Sequence, residues 1–312
     1  MTDASAAGRL TRRAPAPTRR APGRRRWKAS DTDRMLPVWL SRTVIVVMAL
    51  VVLVPVVYML LLSVTPNSQV ALGQVSLSGA GNYATMWSAA PLADGLIHTL
   101  IIAGVAAAIS VAFGMLAAYP LTRLRFHGRR AFLYGLLGSQ TVPGTTLVLP
   151  LFAVFSFIQT IMGTHLIGSY PPIIVTYMTF GLPLSTWLLV AYLRTIPKEL
   201  EEAGLVDGCS RVRALWRIIL PITLPAVVVA FVFAFLVGWN DLLFASVLTN
   251  NGTQTLAVVM QGFSNTNGGS GYPLYGDLMA AAVVSALPVV VLYLAFQRYL
   301  IRGLSAGSMT GM

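Results

Sequence analysis

The residues able to do chemistry crowd into one stretch, Arg194–Pro221, with the sequence RTIPKELEEAGLVDGCSRVRALWRIILP. Within it Glu201, Glu202 and Asp207 stand beside the small residues Ala203, Gly204 and Gly208. Carboxylates next to side chains that take little space suit a docking surface. A partner's Arg or Lys would supply the counter-ions, and the small residues would permit close approach. Catalysis is poorly supplied. Cys209 is the only cysteine, which excludes an intrachain disulfide and a cysteine-based metal site. Lys28 and Lys198 are the only lysines and neither follows a glycine-rich loop, so no phosphate-binding P-loop is present. His98, His127 and His165 lie far apart without metal-binding spacing. The expectation is a chain with no catalytic residue and no metal site.

Local structure follows from the same stretch. Pro197 suits a first helical turn, and Glu199, Glu201 and Glu202 after it complement the positive end of a helix dipole. Asp207-Gly208 has the chemistry of a helix stop and turn. A second short amphipathic helix is expected next. Val212, Leu215 and Trp216 would share one side, with Arg211, Arg213 and Arg217 among its polar positions. Two readings fit these residues: an ordinary surface helix between two spans, or an element that docks into a partner's groove.

The elements that must carry this loop are membrane spans. The 312 residues are 56% apolar and only 10% charged, with mean hydropathy +0.72, whereas a soluble domain carries about 25% charge. Six stretches exceed the roughly 20 apolar residues that cross a bilayer. They are approximately Val38–Leu62, Leu96–Leu121, Ala131–Phe157, Pro172–Leu193, Leu224–Leu248 and Leu278–Ile301. Pro143 and Pro150 should bend or break the third. Gly, Pro, Asn and Ser fill the connections Pro66–Gly95 and Asn250–Asp277.

Charge orients these spans. Of the 22 Lys+Arg, 11 lie in residues 1–42 and the rest flank the second-to-third connection, the fourth-to-fifth connection and the C-terminus. Connections 64–95, 158–171 and 249–277 contain none. Positive residues stay on the cytoplasmic side, which places both termini inside. The basic segment before the first span is too poor in apolar residues to pack a core. It suits a topogenic tail near anionic lipid better than a nucleic-acid-binding arm. The apolar run after it is too long for a signal peptide, and no small-residue cleavage site follows it.

Polar groups within the spans are candidates for a translocation path. Asp241 is the only acid expected inside a span, in the outer third of the fifth, with Asn240 before it. Intramembrane acids face an interior or a watery cavity, so Asp241 either meets a hydroxylated ligand or a gate, or clamps two helices together. Gln140, beside the Pro143 break, suits a hydroxylated ligand. Thr141, Thr145, Thr146 and Gln159 are weaker candidates, because hydroxyls often bond their own helix. His98 and His165 are expected to be structural. Ser264–Tyr272, SNTNGGSGY, with Asn265, Asn267, Gly268 and Gly269, either reaches toward an external partner or is a plain loop.

One pattern resembles a known family. Glu202-Ala203-Gly204, Asp207-Gly208, Ile218 and Leu220-Pro221 resemble the EAA loop of binding-protein-dependent ABC importer permeases, with Gly204 and Cys209 replacing small alanines. Asn82-Tyr83, Ala117-Ala118-Tyr119, Arg123-Leu124-Arg125-Phe126, Gln140 with Val142-Pro143, and Trp239-Asn240-Asp241 extend the likeness. Gln297-Arg298 and Gly303-Leu304-Ser305-Ala306-Gly307 complete it. Together they are similar to the carbohydrate-uptake branch, specifically the shorter permease of a heterodimer as in the maltose system. Pro120 stands where alanine is usual and should kink the inner end of the second span.

The resemblance implies an all-α integral membrane protein with six transmembrane helices, in the type I ABC importer permease fold with a cytoplasmic EAA coupling loop. Residues 1–36 would be a basic disordered cytoplasmic tail, 37–63 an N-terminal transmembrane helix and 64–95 an extracytoplasmic loop. Residues 96–302 would form a five-helix core including coupling loop 194–221, with 303–312 a cytoplasmic tail. It implies import of a di- or oligosaccharide across the bacterial cytoplasmic membrane. The partners would be a second permease, two ATP-binding subunits that hold ATP and magnesium, and an extracytoplasmic solute-binding lipoprotein or periplasmic protein. Glycerol-phosphate, a polyamine or another small solute is the alternative cargo. A secondary transporter would need more intramembrane charge and repeat symmetry than the chain offers.

Overall fold

The computed structural model describes residues 38–77, 79–264 and 273–308, and the side chains of 38, 264 and 300–308 are not characterised. The chain divides into residues 1–54 and residues 55–312. Helix α1, Val38–Ser63, crosses that boundary. Its apolar side chains from Val44 to Val54 are exposed, as they must be on a helix whose solvent is lipid or another protein.

In residues 55–312 the order is α2 (Asn67–Ala71), α3 (Gly81–Ala89), α4 (Leu92–Arg123), α5 (Arg129–Ser139), α6 (Gly144–Met162) and α7 (Tyr170–Leu193). Then come α8 (Glu199–Val206), α9 (Arg211–Ala214), α10 (Leu220–Trp239), α11 (Leu243–Leu248), α12 (Leu256–Ser264) and α13 (Tyr275–Ser308). Among the described residues six helices are long and apolar enough to cross a membrane. The connections 64–95 and 249–277 are not plain loops: they hold α2, α3 and α12.

The core is built by α4, α7 and α10, which pack on one another more extensively than any other elements. Lipid tails are as apolar as leucine, so helices inside a membrane associate through close packing of small residues. α4 supplies a stripe of them: Ala103, Ala107, Ser110, Gly114 and Ala118, all buried. A Cβ added at Gly114 would lie 3.2 Å from Ser185 Cβ, and one at Gly181 would lie 2.9 Å from Ser110 Oγ. These contacts fix α4 against α7. Toward one end Leu189, Leu193, Leu215, Ile219 and Ala230 fill the interior. Toward the other Ile102, Ile173, Tyr177, Phe244 and Leu248 do.

Two expected spans are interrupted. The third breaks over residues 140–143, because Pro143 lacks an N–H and biases Val142 away from helical geometry. Pro150 lies inside α6 without ending it. The fifth stops at Trp239 and resumes as α11, so it is not continuous to Leu248. At its other end it begins earlier than expected. α9 runs through a π-helical turn, Leu215–Ile219, into α10, so the separate second helix after the loop does not exist. Leu215 is buried while Val212 and Trp216 are exposed, and the three do not share a face. α4 continues through Pro120 to Arg123.

The chain near Asn82-Tyr83 is fastened by side-chain amides. Asn82 Nδ2 donates to Ser63 O at 2.9 Å and Thr65 O at 2.8 Å, and the Tyr83 hydroxyl bonds Ser63 Oγ at 2.9 Å. Asn67 Oδ1 accepts the N–H groups of Gly276 and Asp277 at the start of α13.

Candidate functional site

The acidic loop 194–221 folds as its residues dictate. α8 starts with three glutamates in its first turn, which offset the helix dipole. Pro197 stands outside the helix, before Lys198, not in the first turn. The C-terminus is a Schellman motif: Gly208 takes φ +85° and donates to Leu205 O, while Cys209 N donates to Gly204 O at 2.9 Å. Ser210 then caps α9, accepting from Arg213 N at 3.3 Å.

Which way the small surface points is set by burial. Glu201 is buried, and its carboxylate takes the Tyr119 hydroxyl and pairs with Arg123 Nε at 3.1 Å. Arg123 Nη1 donates to Ile196 O at 3.1 Å. The end of α4 therefore holds both the linker before α8 and α8 itself. Gly204 is buried too, and a side chain there would have to displace the end of the Ile218 side chain of the π turn. Of the adjacent small residues Ala203 and Gly204, only Ala203 is therefore open to close approach. Glu202, Ala203, Asp207 and Gly208 are exposed. Glu201 and Gly204 fasten the helix to the core; Glu202 and Ala203 are the ones a partner can reach.

At the other end the two helix breaks meet on α7. Gln140, the C-cap of α5, donates from Nε2 to Phe180 O at 3.2 Å. Asp241 is not inside a helix. It sits in the break after α10, where Oδ2 accepts the Ala245 N–H at 3.0 Å and the Tyr177 hydroxyl at 2.9 Å. Tyr177 and Phe180 are one turn apart on α7. The rings of Phe180 and Phe244 lie 5.1 Å apart, and Gly144 at the start of α6 packs against Phe244. Non-helical backbone at membrane depth is tolerated where protein covers it or it lines a cavity. Here it is gathered around one turn of α7.

Thr141 and Asn240 are exposed and bond their own helices, at Gly138 O and Leu236 O. Gln159 accepts from Leu166 N and Ile167 N at 2.9 Å each, which gives it a loop-closing role. His98 bonds Gln254 O at 3.1 Å and meets Tyr170 edge-on. Asn265, Asn267, Gly268 and Gly269 lie outside the described residues. Among the described residues no group of three His, Cys, Asp or Glu side chains could hold a metal ion.

Tyr119, Arg123, Tyr177, Phe180 and Phe244 were not singled out as site residues from the sequence. One signal was available: a tyrosine hydroxyl in an apolar span needs a partner, and so does an intramembrane acid. Pairing Tyr177 with Asp241 required the register between α7 and α10, which the sequence does not contain.

Six helices long and apolar enough to cross a membrane define a multi-pass membrane protein. Residues 110–306 match the family described as binding-protein-dependent transport system inner membrane component, and the chain belongs to it. The trehalose transport system permease protein SugB of Mycobacterium tuberculosis (strain CDC 1551 / Oshkosh) is 33% identical over 262 residues, 83% of this chain and 93% of the relative. The maltose/maltodextrin transport system permease protein MalG of Escherichia coli (strain K12) is 33% identical over 217 residues, 69% of this chain and 72% of the relative. The fold matches that of a bacterial ABC transporter involved in import of the acidic polysaccharide alginate. Its TM-score is 0.70 and its identity 20%, covering 86% of this chain and 98% of that one.

Proposed function

We propose that this chain is one of two permease subunits of an ATP-driven importer for a di- or oligosaccharide. The observation that carries the cargo class is the likeness to the trehalose permease over most of both chains. The geometry of α8 supports the coupling role. Its exposed Glu202 and Ala203 form the contact with an ATP-hydrolysing subunit, and Glu201 with Arg123 transmits the pull of that contact to α4. Asp207 and Gly208 set the end of the contact surface. ATP and magnesium belong to the ATPase pair; this chain holds no cofactor and performs no hydrolysis.

Sugar delivered by an extracytoplasmic binding protein would pass the gathered breaks on α7. There the exposed Gln140, Thr141 and Asn240 offer amide and hydroxyl groups, and Asp241 with Tyr177 holds the break in place. Asn265, Asn267, Gly268 and Gly269 would face the binding protein. The domain limits follow the same plan, with residues 1–36 and 303–312 cytoplasmic and 96–302 the core. Both termini face the cytoplasm, an orientation supported by the arginine-free external connections.

The test is ATPase activity of the complex in lipid, with and without its binding protein, across a panel of sugars. Stimulation by one loaded binding protein supports the reading and names the cargo. Stimulation only by a loaded polyamine or phosphate ester replaces the cargo class. Orientation has its own check in Cys209. A membrane-impermeant maleimide should label it in inside-out vesicles and leave it unlabelled in right-side-out vesicles.

A further inference from the structure

α5 and α7 leave between them a cavity of about 640 Å³ at the arginine-bearing end of the core. Arg129, Arg130 and Arg194 lie at one level of it, Tyr134 and Val190 one turn from them, and Leu137 and Trp187 two turns from them. The order follows from helix phase. Arg130 and Tyr134 are four apart on α5, and Trp187 and Arg194 are two turns apart at the end of α7, so each pair shares a face. No acid lines the cavity. Among the described residues none of the three arginines has an ion-pair partner; the one ion pair there joins Arg123 to Glu201. A second cavity of about 510 Å³, lined by Arg125, Arg129 and Arg130, adjoins the same turn of α5.

Cations at one level, with aromatic and aliphatic side chains one and two turns beyond them, follow the profile of one lipid monolayer. Guanidinium groups match the oxygens of a phosphate bidentately, and basic pockets between transmembrane helices take anionic head groups. We propose that this groove is a binding site for an anionic glycerophospholipid. The phosphodiester sits between Arg129, Arg130 and Arg194, the glycerol level meets Tyr134, and one acyl chain runs along Val190, Leu137 and Trp187. The site depends on neither the cargo nor the coupling role proposed above.

The probes are phosphatidylglycerol and phosphatidylcholine of identical acyl chains, titrated onto the purified full chain in detergent. Retained lipid is read by native mass spectrometry. Phosphatidylglycerol should be held at least tenfold more tightly, with roughly a fivefold loss for each arginine removed. The variant Arg129→Gln/Arg130→Gln/Arg194→Gln should show no preference between the two lipids. Arg211→Gln/Arg213→Gln/Arg217→Gln, which loses the same charge elsewhere, should keep it. Should the groove triple variant fail to fold, Arg194→Gln alone, with an unchanged unfolding midpoint, should show the fivefold loss. Phosphatidylglycerol brominated on its acyl chains should quench wild-type fluorescence more than that of Trp187→Phe. Equal retention of the two lipids, or equal losses in the groove and control variants, would overturn the proposal. So would complete displacement of the lipid by excess inorganic phosphate, which would make this a site for free anions.

Discussion

Glu201 and Asp241 each receive a tyrosine hydroxyl, toward opposite ends of α7, yet they are balanced by different means. Glu201 is paired with a cation, Arg123, and Tyr119 adds to that pair. Asp241 has only neutral donors, the Tyr177 hydroxyl and the Ala245 N–H. The difference follows the distribution of charge along the chain. Arginines flank the end that carries α8 and are absent from connections 158–171 and 249–277. A carboxylate at the other end must therefore be held by hydrogen bonds. A buried ion pair is costly to break from one side, whereas a carboxylate held by neutral donors can give way to an amide.

The largest stability effect should come from Glu201→Gln. It leaves Arg123 charged and uncompensated, at a cost of about 3–5 kcal/mol. Unfolding of the purified chain in a detergent titration measures this, and Glu201→Leu combined with Arg123→Met should recover a large part of it. A Glu201→Gln chain as stable as wild type would mean that the pair contributes nothing, and the contrast between the two ends would collapse. Asp241→Ala ranks second. It strands the Tyr177 hydroxyl and the Ala245 N–H, for about 1–3 kcal/mol in the same titration.

Asp241→Asn should cost less than about 1 kcal/mol, since an amide oxygen accepts both hydrogen bonds. Transport should fall only modestly. A loss as large as that of the alanine variant would show that the negative charge itself is needed. Glu202→Lys should have the smallest effect on stability, within about 0.5 kcal/mol for an exposed site. Its insertion into the membrane should be normal, but stimulation of the partner's ATPase by loaded binding protein should disappear. Normal stimulation in that variant would remove Glu202 from the contact and leave α8 with a structural role alone.

Much of this organisation was legible in the sequence. Runs of apolar residues longer than a bilayer requires mark the six spans, and Pro143 marks the break in the third. Asp207-Gly208 marks the end of α8, because only glycine takes φ +85° at no steric cost. The break after Trp239 was harder to see. Asn240-Asp241 stands within an apolar run, and hydropathy cannot distinguish a helix that carries an acid from one that stops for it. The short side chains decide the matter by bonding nearby backbone. The helical content of connections 64–95 and 249–277 was hidden for a related reason. Asn67 and Asn82 look like loop residues, but their amides fasten the ends of α1 and α13.

The sequence alone determined which segments cross the membrane, where the spans weaken and which loop carries the acidic cluster. Those properties are set by local composition, by proline and glycine stereochemistry and by the cost of burying charge. Tertiary structure decided the phase of α8, and with it which of two adjacent glutamates faces inward. That choice rests on Gly204 lying against Ile218 and on Arg123 being positioned by the packing of α4 against α7. Tertiary structure also brought Gln140 and Asp241, a hundred residues apart, to the same turn of α7. Both outcomes depend on the register between helices, which small-residue packing fixes and no single helix encodes.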